Sequence, residues 1–123
     1  MISVALPWPD RTLHPNGRAH WRPLATAKRK ARDYARGLTL SLTTPAQRTE
    51  LAAARAVAVT MRFNPPDLSR RDDDGMIAAM KAARDGIADA IGVDDHRWRV
   101  TYVVEHPVEG GRVVVEIEPA GFA

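Results

Sequence analysis

The stretch 70–95, RRDDDGMIAAMKAARDGIADAIGVDD, decides how the chain is read. Its middle carries Met76, Met80, Ala83, Ile87 and Ile91 at helical intervals, an apolar stripe that predicts a helix over about 74–91. An aspartate stands where the N-cap belongs, and Gly92 where a C′ glycine belongs. Strand patterns flank this helix. Before it, Val57, Val59, Met61 and Phe63 alternate with Ala56, Ala58, Thr60 and Arg62, which predicts a strand over 55–63 and then the loop NPPDLSRRDDD. After it, Trp98, Val100, Tyr102 and Val104 alternate with polar or smaller residues, and so do Val113, Val115 and Ile117. The segment HPVEGG between these two strands predicts a hairpin connection, with Gly110 and Gly111 admitting positive φ.

Farther out, Leu24, Ala27, Ala31, Tyr34, Ala35, Leu38 and Leu42 predict a helix over 24–42, weakened in its middle by Gly37, with Pro45 just past its end. Ile2, Val4 and Leu6 predict a first strand that Pro7 and Pro9 terminate, and 7–23 reads as a long loop. The expected order is β-loop-α-β-α-β-β. It makes one α+β domain over 1–123, in two layers, with two helices on a small mixed sheet.

Composition narrows the chemistry. The 123 residues include no cysteine, which removes disulfides, zinc–thiolate sites, iron–sulfur clusters and thiol catalysis and fits a cytoplasmic protein. No apolar run approaches the ~20 residues that span a bilayer, so no membrane partner is expected. The opening MISVALPWPD lacks the basic start and apolar core of a signal peptide. His14, His20, His96 and His106 have no zinc spacing, and His96 reads as a surface histidine. No Ser–His–Asp set, P-loop or dinucleotide motif is present.

The net charge of +3 conceals an asymmetry: residues 1–71 hold 13 Lys/Arg against 4 Asp/Glu, and residues 72–123 hold 5 against 11. A basic half suits a polyanion. The acidic half can serve the same phosphates only through a cation. Asp72, Asp73 and Asp74 enter the helix together, and Asp94 and Asp95 follow it. Capping and the helix dipole account for one carboxylate at such a helix start. Three adjacent carboxylates repel one another unless a hard cation such as Mg²⁺ or Mn²⁺ lies among them, taking one or two aspartates and phosphate oxygens.

The ordered set Arg70-Arg71-Asp72-Asp73-Asp74, a helix with a lysine, and Val93-Asp94-Asp95 resembles the RusA family of Holliday junction resolvases. The opening Ala5-Leu6-Pro7-Trp8-Pro9 and the late Gly110-Gly111-Arg112 are similar to the same family, so the resemblance spans nearly the whole chain. Two positions depart from the family pattern. Gly75 replaces the Asn after the second motif aspartate, and Ala78 stands where the family lysine falls, leaving Lys81 two turns after Asp74 as the first lysine. The plain reading of Lys81 is an i,i+4 pair with Asp85.

The resemblance implies a homodimeric, Mg²⁺-dependent endonuclease, with Mn²⁺ as substitute, that resolves four-way DNA junctions by paired symmetric nicks. It implies Asp72, Asp74 and Asp95 as metal ligands and Lys81 as the cation beside the scissile phosphate. Of the neighbouring pair, Asp95 is expected to face the site and Asp94 the opposite side, by strand alternation. Lys28, Arg32 and Arg36, with Arg29 beside them, fall on one helix face that can track a DNA backbone. Arg70 and Arg71 suit a phosphate near the cut, and Asn16, Arg18, Trp21 and Arg22 an opened junction. The rival reading is a DNA-binding module without catalysis, whose acidic loop caps the helix or binds a structural cation.

Overall fold

A computed structural model describes residues 1–14, 21–69 and 71–120, and of Trp21 and Arg22 the backbone only. Strand β1 (Ile2–Pro7) buries Ile2, Val4 and Leu6 and exposes the residues between them. Helix α1 (Trp21–Leu42) turns Ala35 and Leu38 inward. Helix α2 (Pro45–Ala53) follows, then β2 (Ala56–Asn64). Helices α3 (Asp73–Ala79) and α4 (Lys81–Ile91) lead to a 3-10 turn at Asp95–Arg97 and to β3 (Trp98–Val104). The last described strand is β4 (Arg112–Ala120).

The structure is mixed α+β, as expected, but among the described residues it holds four α-helices where the periodicity predicts two. Helix α2 falls in the stretch between the expected first helix and second strand. Its signature is a capping box: Thr44 Oγ1 accepts from the Gln47 N–H at 3.1 Å, and the Gln47 side chain accepts from the Thr44 N–H at 2.8 Å. The single helix expected over 74–91 is broken at Met80, whose ψ of 0° interrupts the helical run. Gly92 ends α4 with φ 70°, the left-handed C-terminal position a glycine takes without strain.

The sheet order is β1-β4-β2-β3, with β1 and β2 antiparallel to β4 and β3 parallel to β2. This corrects the expected hairpin. β3 and β4 are not neighbours, because β2 lies between them, and the connection crosses its end. Glu105 N–H donates to Phe63 O at 2.8 Å, and Val108 N–H to Pro65 O at 2.9 Å. Buried Asn64 donates to His106 O at 3.0 Å and accepts from Arg112 at 3.2 Å. Gly110 and Gly111 do take positive φ, and a Cβ on Gly111 would lie 2.9 Å from Cβ of Trp8.

Val57, Val59, Met61 and Phe63 of β2 and Val113, Val115 and Ile117 of β4 meet Met76, Met80, Ala83, Ile87 and Ile91 of the helices in one core. The other sheet face bears Ser3, Thr60 and Glu116 in one cross-strand row, and Arg62 bonds Glu116 at 2.7 Å there. Helix α4 crosses α1 so closely that a Cβ on Gly86 would run into the carbonyl oxygen of Arg32. That crossing brings the basic α1 beside α4, which carries Lys81 and Arg84, and it builds the candidate site.

Candidate functional site

The loop from β2 to α3 carries the aspartates. Arg71 braces it: its guanidinium donates to Asp67 O and Ser69 O at 3.0 Å each and to Asp67 Oδ1 at 2.8 Å, and stands 5.5 Å from the ring centre of Trp8. Hydrogen bonds from Ser69, then from Arg71, hold the Asp67 carboxyl down at about 2. The expectation that Arg71 grips phosphate meets donors turned into its own loop. Arg70 and Arg18, with Asn16, lie outside the described residues, as do the side chains of Trp21 and Arg22.

Asp72 is the N-cap of α3. Its Oδ1 accepts from the Asp74 N–H at 3.2 Å, and its backbone carbonyl accepts from Met76 at 3.1 Å. Asp73 and Asp74 occupy the first turn, where the helix dipole favours negative charge. All three are exposed. Among the described residues none of the ion pairs involves them.

Asp95 has a different setting. Lys81 Nζ donates to Asp85 Oδ1 at 2.9 Å and to Asp95 Oδ2 at 3.2 Å, and Arg84 Nη2 lies 4.0 Å from the same Asp95 oxygen. Hydrogen bonding to Asp85, then to Asp95, raises the Lys81 pKa, so the ammonium is charged throughout the neutral range. Arg84 donates to the Tyr102 hydroxyl at 3.0 Å and stands 5.5 Å from the Trp98 ring centre. Its Nε is buried, with no hydrogen-bond partner among the described residues. The sequence pattern does not single out Arg84, although it stands one turn after Lys81. The expected i,i+4 pair of Lys81 with Asp85 is present.

Strand alternation does not govern Asp94 and Asp95, because 95–97 is a 3-10 turn. Asp94 caps that turn by accepting from His96 N–H at 3.3 Å, a bond that heads the causes lowering its pKa. Its side chain is 70% exposed, against 30% for Asp95.

A groove runs between the two helices, with Lys28, Arg29 and Arg32 on the α1 side and Ile77, Ala78 and Lys81 on the other. Ala78 is one turn past Asp74 in the same helix, whereas Asp72, Asp73 and Asp74 line a separate depression with Arg71. Lys28 and Arg29 are exposed, and none of the ion pairs among the described residues involves them. Arg32 is committed to a bidentate pair with Asp89 at 2.7 and 3.0 Å, which lowers the Asp89 pKa and raises its own. Arg36 lies one turn farther along α1, exposed.

The donor chemistry of Asp72 and Asp74, exposed carboxylates on one short segment, fits a hard cation. Asp95 differs in setting, since its Oδ2 faces the Lys81 ammonium and the Arg84 guanidinium. Among the described residues no three of His, Asp and Glu are grouped to hold a metal, and the contacts of Asp95 are cationic.

Among the described residues, fold and site together define a small α+β unit with a mixed four-stranded sheet, a basic groove beside α1 and an acidic helix start at α3. A protein of Xylella fastidiosa (strain Temecula1 / ATCC 700964), described as uncharacterized, is 37% identical over 118 residues, covering 95% of this chain and 76% of that protein. The chain belongs to the same family as that protein. No protein-family model matches the chain.

Proposed function

We propose that the protein is a metal-dependent endodeoxyribonuclease of the RusA type that nicks four-way DNA junctions in a pair of symmetric cuts. The observation that carries this reading is a groove bearing Lys28, Arg29 and Lys81 whose lining reaches Ile77 and Ala78 on the helix that the three exposed aspartates begin. Phosphate binding is the work of the groove: among the described residues no side chain pairs with Lys28 or Arg29, which leaves their donors for the DNA backbone. Asp72 and Asp74 would hold Mg²⁺, or Mn²⁺ in its place, which when bound lowers the pKa of a water and offsets charge on a phosphoryl oxygen. Lys81, already charged and held by two carboxylates, stabilises negative charge that develops on a phosphate lying in the groove. Two cuts related by a two-fold axis call for a homodimer. A chain without cysteine suits the reducing cytoplasm in which DNA is handled, and among the described residues no helix is long and apolar enough to cross a membrane.

The capping bond of Asp72 favours a second reading, a DNA-binding module whose acidic loop only starts a helix. A synthetic four-way junction incubated with the protein, with Mg²⁺ or with EDTA, separates the two. The nuclease nicks it only with Mg²⁺. A module binds it and leaves it whole in both.

A further inference from the structure

We infer that Asp95 positions Lys81 at the groove and is not a ligand of the cation assigned to Asp72 and Asp74, an inference that rests on the nuclease reading above. Lys81 is a long side chain on an exposed helix position, 62% accessible. Alone it would sample many rotamers. Two carboxylates from different elements hold it: Asp85 one turn along α4, and Asp95 from the turn that enters β3. Asp95 is itself located by Arg84, which the Tyr102 hydroxyl and the Trp98 ring fix from β3. The four side chains Lys81, Arg84, Asp85 and Asp95 cancel in charge. A divalent ion at Asp95 would share the carboxylate with an ammonium 3.2 Å and a guanidinium 4.0 Å from its Oδ2. An ammonium has three donors, and two are used here, so one remains for an anion in the groove.

The test compares wild type, Asp95→Asn, Asp72→Asn, Lys81→Met and the double variant Asp95→Asn/Lys81→Met. Mn²⁺ binding to the DNA-free protein is measured by electron paramagnetic resonance, and single-turnover nicking at saturating junction is measured with Mg²⁺. Asp95→Asn should bind Mn²⁺ within about twofold of wild type, whereas Asp72→Asn should lose about tenfold or more, since cation affinity follows ligand charge. Asp95→Asn should nick about tenfold to a hundredfold more slowly. The double variant should be no slower than Lys81→Met, because Asp95 acts only through the lysine. Lys81→Met, which frees the Asp95 carboxylate of its ammonium, should leave Mn²⁺ affinity unchanged, and it carries the comparison even if Asp95→Asn does not fold. Loss of Mn²⁺ binding in Asp95→Asn equal to that in Asp72→Asn, a tenfold gain in Lys81→Met, or additive losses in the double variant overturns the inference and leaves the nuclease reading standing. A wild-type protein that neither binds Mn²⁺ nor nicks overturns both.

Discussion

The guanidinium of Arg71 lies over the ring of Trp8, 5.5 Å from its centre, so a residue of the acidic loop rests on the segment that leaves β1. Gly111 closes in from the β3–β4 connection against the same tryptophan. Three chain segments distant in sequence thus set where Asp72 begins α3. Arg71→Ala removes the stacking and three hydrogen bonds within the loop. We expect a loss of about 1 kcal/mol in urea denaturation and faster amide exchange at Ser69. Arg71→Lys should recover only part of it, because an ammonium lacks the planar fork.

The same loop should respond to acid. The carboxyl of Asp67 is held below its ordinary value of 3.8, at about 2. A depressed carboxylate contributes stability above its unfolded pKa and loses it as pH falls through the folded one. The loop should therefore be unchanged from neutral pH down to about 4 and should loosen between about 4 and about 2. Amide protection of Ser69 followed through that window checks it, and Asp67→Asn should flatten the profile.

Two helical glycines should behave oppositely. Gly86 faces the backbone of Arg32, whereas a Cβ added to Gly37 would meet nothing within 4 Å. Gly86→Ala forces α1 and α4 apart and should cost about 1–3 kcal/mol by chemical denaturation. Gly37→Ala, within α1 and open to solvent, should stabilise by about 0.5–1 kcal/mol.

The basic residues divide by what already holds them. Lys28→Glu and Arg29→Glu should each weaken junction binding, and each should make the log–log salt dependence shallower by about 0.9 if one phosphate contact is lost. Arg32 is bound to Asp89 in an exposed pair, so Arg32→Gln should weaken binding less and barely change fold stability. Fluorescence anisotropy with a labelled junction at several salt concentrations distinguishes these outcomes.

Much of the fold is legible in local pattern. The alternation at Val57, Val59, Met61 and Phe63, the stripe from Met76 to Ile91 and the Gly92 stop all appear where the periodicity places them. What fails is information that no local window contains. Val113 pairs with Phe63 as well as with Leu6, and this placing of β4 between β1 and β2 rules out the hairpin that HPVEGG suggests. Helix α2 is legible in principle, since Thr44 and Gln47 have capping-box spacing, but Pro45 reads as a stop where it is the first helical residue. At the site, the acidic helix start and the Lys81–Asp85 pair are local and readable. The tie from Lys81 to Asp95, and the commitment of Arg32 to Asp89 and of Arg71 to Asp67, depend on how α4 meets the chain before and after it and on how the loop folds back.

The most direct measurement of the central claim is cleavage of a four-way junction by the wild-type protein beside Asp72→Asn, with and without Mg²⁺, read on both strands at once. We expect symmetric nicks on opposing strands by the wild type in Mg²⁺, none in EDTA, and a loss of at least about a hundredfold in Asp72→Asn with junction binding retained. Tight, salt-sensitive binding with no nick under any of these conditions, or nicking of equal rate in Asp72→Asn, would contradict it.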